Sequence, residues 1–188
     1  MTPPEIDIKF ACADVPALEA KLKRIGFIQQ TPRTHEYNTL YDFEDASLHS
    51  RGELLRIRRY GDAWTLTHKA KGVTGKHKSR AETETRVADG EALAHILGAL
   101  GLKESFAYEK FRSEWTDGQG HVVIDETPIG NFGEIEGDEH WIDAIAAKLE
   151  ISENNYITAS YAGLFREWKI LTGSSACNMT FRDAASST

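Results

Sequence analysis

Residues 53–71 read ELLRIRRYGDAWTLTHKAK, and this stretch indicates the kind of sheet that the chain forms. From Leu55 to Arg58, apolar and basic residues alternate, as they do on the two faces of a β-strand. The Gly61-Asp62 pair is typical of a tight hairpin turn, so the residues after it are predicted to form the partner strand. The hairpin therefore has one apolar face and one face that carries arginines.

Other predicted strands share this division between a charged and an apolar face. Their charged faces hold Glu5, Asp7 and Lys9; Arg80, Glu82 and Glu84; Lys110 and Arg112; and Glu134 and Glu136. A half-exposed sheet whose charged face meets water would explain any one strand. If helices cover the apolar faces, however, the charged faces line the interior, and the joint pattern favours this second interpretation.

Helical and extended patterns along the rest of the chain predict one α+β domain over residues 1–172. Further strands are expected over residues 5–11, 35–43, 79–87, 105–115, 121–127 and 132–136. Helices are expected over residues 14–26, 89–101, 139–149 and 159–171, with a flexible basic loop at 72–78. Adjacent hairpins can close such a sheet into a barrel. Residues 173–188 are predicted to form a flexible C-terminal tail.

Composition excludes several classes of protein. The 188 residues are 40% hydrophobic and 27% charged, which is typical of a globular protein. No apolar run has the length that a membrane span needs, and Cys12 and Cys177 form no zinc or disulfide motif. The net charge of −7 argues against nucleic acid as a partner. We therefore expect a cytoplasmic protein that binds neither a membrane nor nucleic acid.

An interior that mixes carboxylates with cations can bind a polyanion if a metal ion neutralises part of the carboxylate charge. Mg²⁺ and Mn²⁺ prefer carboxylate and phosphate oxygens as ligands. Arginine and lysine bind phosphoryl oxygens, arginine in a bidentate manner. The charge pattern thus predicts a phosphate chain bound together with Mg²⁺ or Mn²⁺.

The series of motifs resembles the CYTH superfamily, the triphosphate tunnel metalloenzymes. The E-x-D-x-K of Glu5, Asp7 and Lys9 is similar to the ExExK signature of that family. The further matching motifs are LLRIRR at 54–59, LTHK at 66–69, ETE at 82–84, EKFR at 109–112, IDETPIGNFGEIEG at 124–137 and SYAGLF from Ser160. The resemblance implies a closed eight-stranded antiparallel β-barrel with helices packed outside, whose tunnel binds a triphosphate with a divalent metal.

The resemblance also implies roles for individual residues. The implied metal ligands are Glu5, Asp7, Asp125, Glu134 and Glu136. The implied phosphate-binding residues are Lys9, Arg56, Arg58, Lys69, Arg80, Lys110 and Arg112. Of these, Lys110 and Arg112 are the predicted catalytic residues, and Lys110 acts as an acid or a charge stabiliser. Lys76 and Lys78 in the basic loop are looser matches.

Two positions depart from the family pattern. Asp7 replaces a glutamate, which keeps the carboxylate but shortens its reach by one methylene. Leu40 stands where many triphosphatases and cyclases have a tyrosine, which in several triphosphatases is thought to assist the attack of water. Tyr41 would replace it only if the strand were shifted by one residue.

Three functions remain open at this point. The family resemblance and Leu40 favour a class IV adenylate cyclase that converts ATP to cyclic AMP and pyrophosphate. The second possibility is an inorganic or organic triphosphatase, including the thiamine type, and the third is a non-catalytic sensor of polyphosphate or nucleotide. Apolar positions at 141–149 and 164–168 either support a homodimer or cover the barrel.

Overall fold

The computed structural model describes residues 5–74 and 78–186, and within them it leaves out the side chains of Glu5, Thr74, Lys78 and Ser79. The strands are β1 (Glu5–Ala11), β2 (Ile28–Phe43), β3 (Leu54–Tyr60), β4 (Ala63–Lys69), β5 (Val73–Thr74), β6 (Lys78–Arg80), β7 (Glu82–Val87), β8 (Leu102–Thr116), β9 (His121–Thr127) and β10 (Gly130–Glu136). The α-helices are α1 (Val15–Arg24), α2 (Ser47–Ser50), α3 (Gly90–Ala99), α4 (Glu139–Lys148), α5 (Tyr161–Thr172) and α6 (Phe181–Ala185).

Local sequence signals account for the predicted hairpin and the first helix. In the β3–β4 hairpin, Tyr60 pairs with Ala63 across Gly61, whose φ of 57° lies in the left-handed region that glycine adopts without strain. Asp14 caps α1 by accepting a hydrogen bond from the backbone N–H of Ala17. Both predictions are confirmed.

The sheet is antiparallel throughout, with the strand order β5-β6-β1-β10-β9-β8-β2-β3-β4-β7. It has eight longer strands and the two short strands β5 and β6, and in the described part of the chain β5 and β7 are its edges. The predicted closed eight-stranded barrel is therefore wrong. The sheet stays open because the segment that could join its two ends is divided at Ala81. The strand before Ala81, β6, pairs with β1 at one end, and the strand after it, β7, pairs with β4 at the other.

Arg80 connects the two ends of this open sheet without adding a strand pair. It belongs to β6, at one end, and donates hydrogen bonds to the carbonyls of Gly52 (3.0 Å), Lys69 (3.3 Å) and Ala70 near the other end. Hydrogen bonds from one side chain to backbone carbonyls hold the ends together, but they do not replace the continuous ladder of a closed barrel.

Helices cover the apolar side of the sheet, as the alternation predicts. Leu22 of α1 and Ile142 of α4 are buried against Ile8 and Ile135 of the sheet. Another cluster on this side places Leu97 of α3 near Ile57. The charged residues of the strands alternate with these outer apolar residues and therefore face the opposite, concave side. Helix α5 is an exception to the prediction that helices pack outside, because its Phe165 packs near Tyr108 and Phe132, which share the concave side with Lys110 and Glu134.

Strand β2 is longer than its sequence predicts, because it begins at Ile28 rather than His35. The stretch QQTPRT does not alternate, and Pro32 argues against a regular strand. The β2–β8 register shifts between Gln29 and Thr31 and again between Thr31 and Thr34. Proline is tolerated where the ladder is interrupted in this way.

The described residues 173–186 pack on the sheet, in contrast to the flexible tail that their polar sequence predicts. Met179 is fully buried, its N–H donates to the Ala107 carbonyl at 3.0 Å, and its carbonyl accepts from the Glu109 N–H at 3.1 Å. Helix α6 follows, capped by Thr180. The backbone at Met179 thus pairs with an edge of β8, and Phe181 of α6 packs against Phe111 on the outer side of that strand.

Among the described helices, none combines the length and apolarity that crossing a membrane requires.

Candidate functional site

The concave side of the sheet encloses a cavity of about 940 Å³. Ten of the twelve residues that the sequence predicts for the site line it: Asp7, Lys9, Arg56, Arg58, Lys69, Arg80, Lys110, Arg112, Glu134 and Glu136. Asp125 lies beneath the lining, and the side chain of Glu5 falls outside the described part, as do Lys76 and the side chain of Lys78. Period-two alternation on neighbouring strands brings the ten together, although their functional roles stay predictions.

The first group of cations is the β8 pair, Lys110 and Arg112, whose side chains are 3% and 13% exposed. Both bind Asp125 of the neighbouring strand β9: Lys110 Nζ lies 2.8 Å from Oδ2, and Arg112 donates from Nε to Oδ1 and from Nη2 to Oδ2 at 2.7 Å each. Asp125 is 0% exposed and also accepts from the Tyr161 hydroxyl at 2.6 Å. Both oxygens of Asp125 are therefore occupied in positioning the two cations.

The charge state of this pair follows from its surroundings. Burial alone would lower the pKa of the Arg112 guanidinium, but nearby carboxylates outweigh burial and hold that pKa well above its usual value. These carboxylates are Asp125, Glu36 and Glu134. Burial, followed by the charge of Asp125, also raises the pKa of the Tyr161 hydroxyl well above its usual value. That hydroxyl keeps its proton and serves as a donor.

Glu134 joins strand β10 to the same network. Its Oε2 accepts from Arg112 Nη2 at 2.7 Å, and its Oε1 lies 3.2 Å from Lys9 Nζ. Lys9 also lies 4.1 Å from the ring centroid of Tyr161 and 3.4 Å from the Ala159 carbonyl. Burial would raise the pKa of Glu134, but Lys9, followed by the β8 pair, holds it well below its usual range.

The second group of cations is the β3 pair, Arg56 and Arg58. Arg58 Nη2 lies 3.0 Å from Glu84 Oε1, and Arg56 lies 3.6 Å from the same carboxylate. Arg56 also donates to the hydroxyls of Tyr108 and Thr67 at 3.3 Å each. The side chain of Glu84 is 33% exposed, so the counter-ion of this pair is in contact with solvent.

A further buried carboxylate, Glu36 of β2, lies between the two cation pairs. It is 0% exposed, with Lys110 Nζ 3.4 Å from Oε1, Arg112 Nε 3.9 Å from Oε2, and Arg58 Nη1 4.0 Å from Oε2. Burial would raise the pKa of Glu36, but the charge of Lys110, followed by those of Arg112, Arg58 and Arg56, holds it well below its usual range. Sequence reasoning missed this residue because HEYN, at 35–38, is polar on both faces of its strand.

Two tyrosines also belong to the site and were not predicted for it. Tyr108 lines the cavity beside Arg56, and Tyr161, at the start of α5, lies under Lys9 and Lys110. Tyr161 occurs in the SYAGLF motif that carries part of the family resemblance, which is the signal that could have identified it. Tyr108 gives no such signal, because aromatic residues in strands are more often core residues.

The neighbouring residues Leu40 and Tyr41 point to opposite sides of β2. Leu40 lines the cavity opposite Arg56, whereas Tyr41 is buried against α3 and its hydroxyl lies 3.5 Å from Glu104. Burial, followed by the charge of Glu104, raises the pKa of Tyr41 to about 12. The strand is not slipped relative to β3, so Tyr41 does not replace the missing cavity tyrosine.

The acidic side chains of the cavity fit a hard divalent cation in type, although they do not complete a site for one. Asp7 of β1 pairs with Glu136 of β10, and Lys9 pairs with Glu134, so three carboxylates lie on two adjacent strands and line one wall. Among the described side chains, however, no three His, Cys, Asp or Glu residues approach closely enough to hold a metal ion. A cation here would need additional oxygens, such as those of a phosphate chain.

Comparison with known proteins places the chain in a family. A family model described as "CYTH domain" matches residues 3–161. A Methanocaldococcus jannaschii protein provisionally named an adenylate cyclase is 26% identical over 172 residues, 85% of this chain and 97% of its own length. The adenylate cyclase CyaB of Aeromonas hydrophila is 26% identical over 136 residues, 70% of this chain and 67% of its own length.

Solved structures share the fold. A Vibrio parahaemolyticus protein provisionally described as an adenylate cyclase superimposes with a TM-score of 0.79 at 18% identity, covering 88% of this chain and 99% of its own. A Hippeastrum protein, described as an adenylyl cyclase candidate with a dominant triphosphatase activity, has a TM-score of 0.64 at 17% identity. It covers 87% of this chain and 95% of its own.

Proposed function

Because the chain belongs to the CYTH domain family, we propose that it is a metal-dependent enzyme that binds a triphosphate in the cavity and converts ATP to cyclic AMP and pyrophosphate. The observation that carries this proposal is the convergence of the β8 pair and the β3 pair on one cavity, on either side of β2. Such an arrangement of arginines and lysines suits a chain of phosphoryl groups.

The charge balance of the cavity supports a requirement for a divalent cation. The described residues that line it include seven Lys or Arg and seven Asp or Glu. Without added positive charge, the carboxylates would repel a polyanion. Mg²⁺ or Mn²⁺ would be held by Asp7, Glu134 and Glu136 together with phosphate oxygens, and would neutralise charge on the phosphate chain.

In the proposed reaction, the residues of the chain position the substrate and stabilise charge. The ribose 3′-oxygen attacks the α-phosphorus, the bond from that phosphorus to the bridging oxygen breaks, pyrophosphate leaves and the hydroxyl proton is released. Lys110 and Arg112 stabilise the negative charge on the reacting phosphoryl oxygens. Because Asp125 holds both cations before substrate binds, little reorganisation is needed during the reaction.

Hydrolysis of a triphosphate is the second candidate function. It is favoured by the Hippeastrum protein of similar fold, whose description reports a dominant triphosphatase activity. Water would attack the γ-phosphorus in this case, and the same cations would bind the chain. Leu40, which offers no hydroxyl to the cavity, favours the cyclase reaction over this one.

One assay separates these functions. Purified protein is incubated with Mg²⁺ or Mn²⁺ and either ATP or tripolyphosphate, and the products are resolved by chromatography, with Lys110→Ala as the control of strongly reduced activity. Cyclic AMP and pyrophosphate from ATP would support the cyclase, and orthophosphate would support the triphosphatase. Binding without turnover would indicate a sensor, and no binding of either compound would refute the proposal.

A further inference from the structure

Glu36 carries a charge in the site that the proposed reaction does not use. The β2 strand places it in register with Lys110 of β8 on one side and Tyr60 of β3 on the other. Its side chain is fully buried and does not line the cavity, so a bound substrate would not touch it. Any effect of Glu36 on the substrate therefore acts through the intervening cations or through space.

The two oxygens of Glu36 have different surroundings. Oε1 accepts a hydrogen bond from Asn38 Nδ2 at 2.9 Å and lies 3.4 Å from Lys110 Nζ. Oε2 has no hydrogen-bond partner among the residues that the structure describes, although Arg112 and Arg58 place nitrogens 3.9 and 4.0 Å from it. These distances allow electrostatic attraction but are too long for a hydrogen bond.

Other groups orient the same cations. Arg112 is held by hydrogen bonds to Asp125 and Glu134, and Arg58 by hydrogen bonds to Glu84 and Thr65. Removal of the Glu36 charge with its shape preserved should thus leave these arginines in place. The main contribution of Glu36 to the site is its negative charge beneath the cations.

We propose that Glu36 sets the affinity of the cavity for polyphosphate, and that its buried charge weakens the hold of the β8 and β3 pairs enough for product to leave. This inference rests on the proposed function, because it assumes that the cavity binds a phosphate chain. A polyanion in the cavity and Glu36 attract the same cations from opposite sides. Glu36 therefore opposes the binding of substrate and product alike.

The test replaces the carboxylate with its neutral isostere. In Glu36→Gln, we expect tripolyphosphate to bind about tenfold more tightly by titration calorimetry, with a steeper loss of affinity as salt is added. The turnover number and KM should fall together, because tighter product binding slows release. Pyrophosphate should also inhibit the variant at lower concentration than it inhibits the natural sequence.

Two further variants make the result specific. Glu36→Asp draws the charge back from the cations by one methylene, so we expect tripolyphosphate binding about two- to threefold tighter than in the natural sequence. Glu126→Gln is the matched control, since it also removes one carboxylate but lies on the outer side of β9, beside exposed Arg33. We expect it to leave binding unchanged.

The sign of the change decides the outcome. If Glu36 only supported the structure of the site, both substitutions at this position would weaken binding, and weaker or unchanged binding would overturn the inference. Glu36→Asp keeps the test decisive if Glu36→Gln does not fold. Absence of tripolyphosphate and ATP binding in the natural sequence would instead refute the proposed function, which is a separate result.

Discussion

The β8 pair and the β3 pair present the same kinds of charge to one cavity, but they are supported in different ways. Lys110 is 2% exposed and its counter-ion Asp125 is 0% exposed, so this part of the network is removed from water. The side chains of Arg58 and its counter-ion Glu84 are 19% and 33% exposed. Fully buried Glu36 lies 4.0 Å from Arg58 but accepts no hydrogen bond from it, so in the described part of the chain the β8 pair differs from the β3 pair in its hydrogen bonds to a fully buried counter-ion.

Because the two pairs differ in the burial of their counter-ions, substitutions near them should differ in how much they affect the stability of the fold and the binding of substrate. A buried charge that loses its partner is left in a poorly solvated environment, whereas water replaces much of what an exposed partner provides. We therefore expect substitutions around β8 to affect both folding and activity, and substitutions around β3 to affect mainly the binding of substrate.

The largest effect is expected from removal of the buried counter-ion. Asp125→Ala leaves Lys110 and Arg112 without their shared partner, so the free energy of unfolding should fall by about 3–5 kcal/mol. Glu84→Ala is the matched substitution beside the β3 pair and should cost less than about 1 kcal/mol. Urea unfolding followed by tryptophan fluorescence measures both, and equal losses would show that the two regions do not differ as described.

A smaller effect is expected on catalysis. Lys110→Ala should lower kcat/KM for ATP by about 10²- to 10³-fold, because a preorganised charge next to the reacting phosphoryl group is lost. Arg58→Ala should lower it by about tenfold, since the counter-ion of Arg58 is in contact with solvent, and solvent and neighbouring charges replace a partly exposed cation more easily. Steady-state rates of product formation give both values. A larger loss in Arg58→Ala would place the reacting phosphoryl group near β3 instead.

The pH dependence of stability tests two carboxylates near the β8 pair, the buried Glu36 and the partly buried Glu134. The pKa values of Glu36 and Glu134 are lowered in the folded protein, so the folded state binds these protons less readily than the unfolded state. Their contribution to stability is fully present above the unfolded pKa of about 4.3 and is lost as the pH falls below it.

The urea midpoint should therefore fall between pH 5 and 3, roughly the window below that unfolded pKa. Glu134→Gln removes one of the two groups and should make the fall shallower. An unchanged slope in this variant would show that Glu134 is not held ionised by Lys9 and Arg112.

Most of the site could be predicted from the sequence because side chains alternate across a strand. Once Arg56 and Lys110 are placed on inward faces, Arg58 and Arg112 must follow them two residues later. Glu36 escaped prediction because its strand is polar on both sides, and thus gives no contrast from which to choose a face. The cations around Glu36 come from β8 and β3, the strands on either side of β2. The residue pattern of one strand does not show which side chains the neighbouring strands place beside it.

The closure of the sheet could not be predicted for a related reason. Residues 79–87 read SRAETETRV, which alternates as one strand, yet the structure divides this region at Ala81 into β6 and β7. The two parts pair with different ends of the sheet. Pairing partners depend on tertiary packing rather than on local alternation, and the same holds for Met179, whose burial depends on contact with β8.

The smallest expected effect concerns Leu40, which faces the cavity beside the β3 pair. Leu40→Tyr would bring into the cavity the phenol that the family pattern of many triphosphatases and cyclases implies at this position, and that in several triphosphatases is thought to assist the attack of water. Because Leu40 is only partly buried and pairs with Arg56 in register, the larger ring should be accommodated at the cavity surface. We expect the ratio of orthophosphate to cyclic AMP formed from ATP to rise by about two- to tenfold. This is less than the roughly 10²- to 10⁴-fold that a well-positioned general acid or base usually contributes.

Tyr41→Phe is the control, since the Tyr41 hydroxyl lies on the opposite side of the sheet near Glu104 and its removal should not alter the ratio. A product ratio that stays constant in Leu40→Tyr would show that the β3 side of the cavity binds the phosphate chain without influencing which nucleophile attacks it.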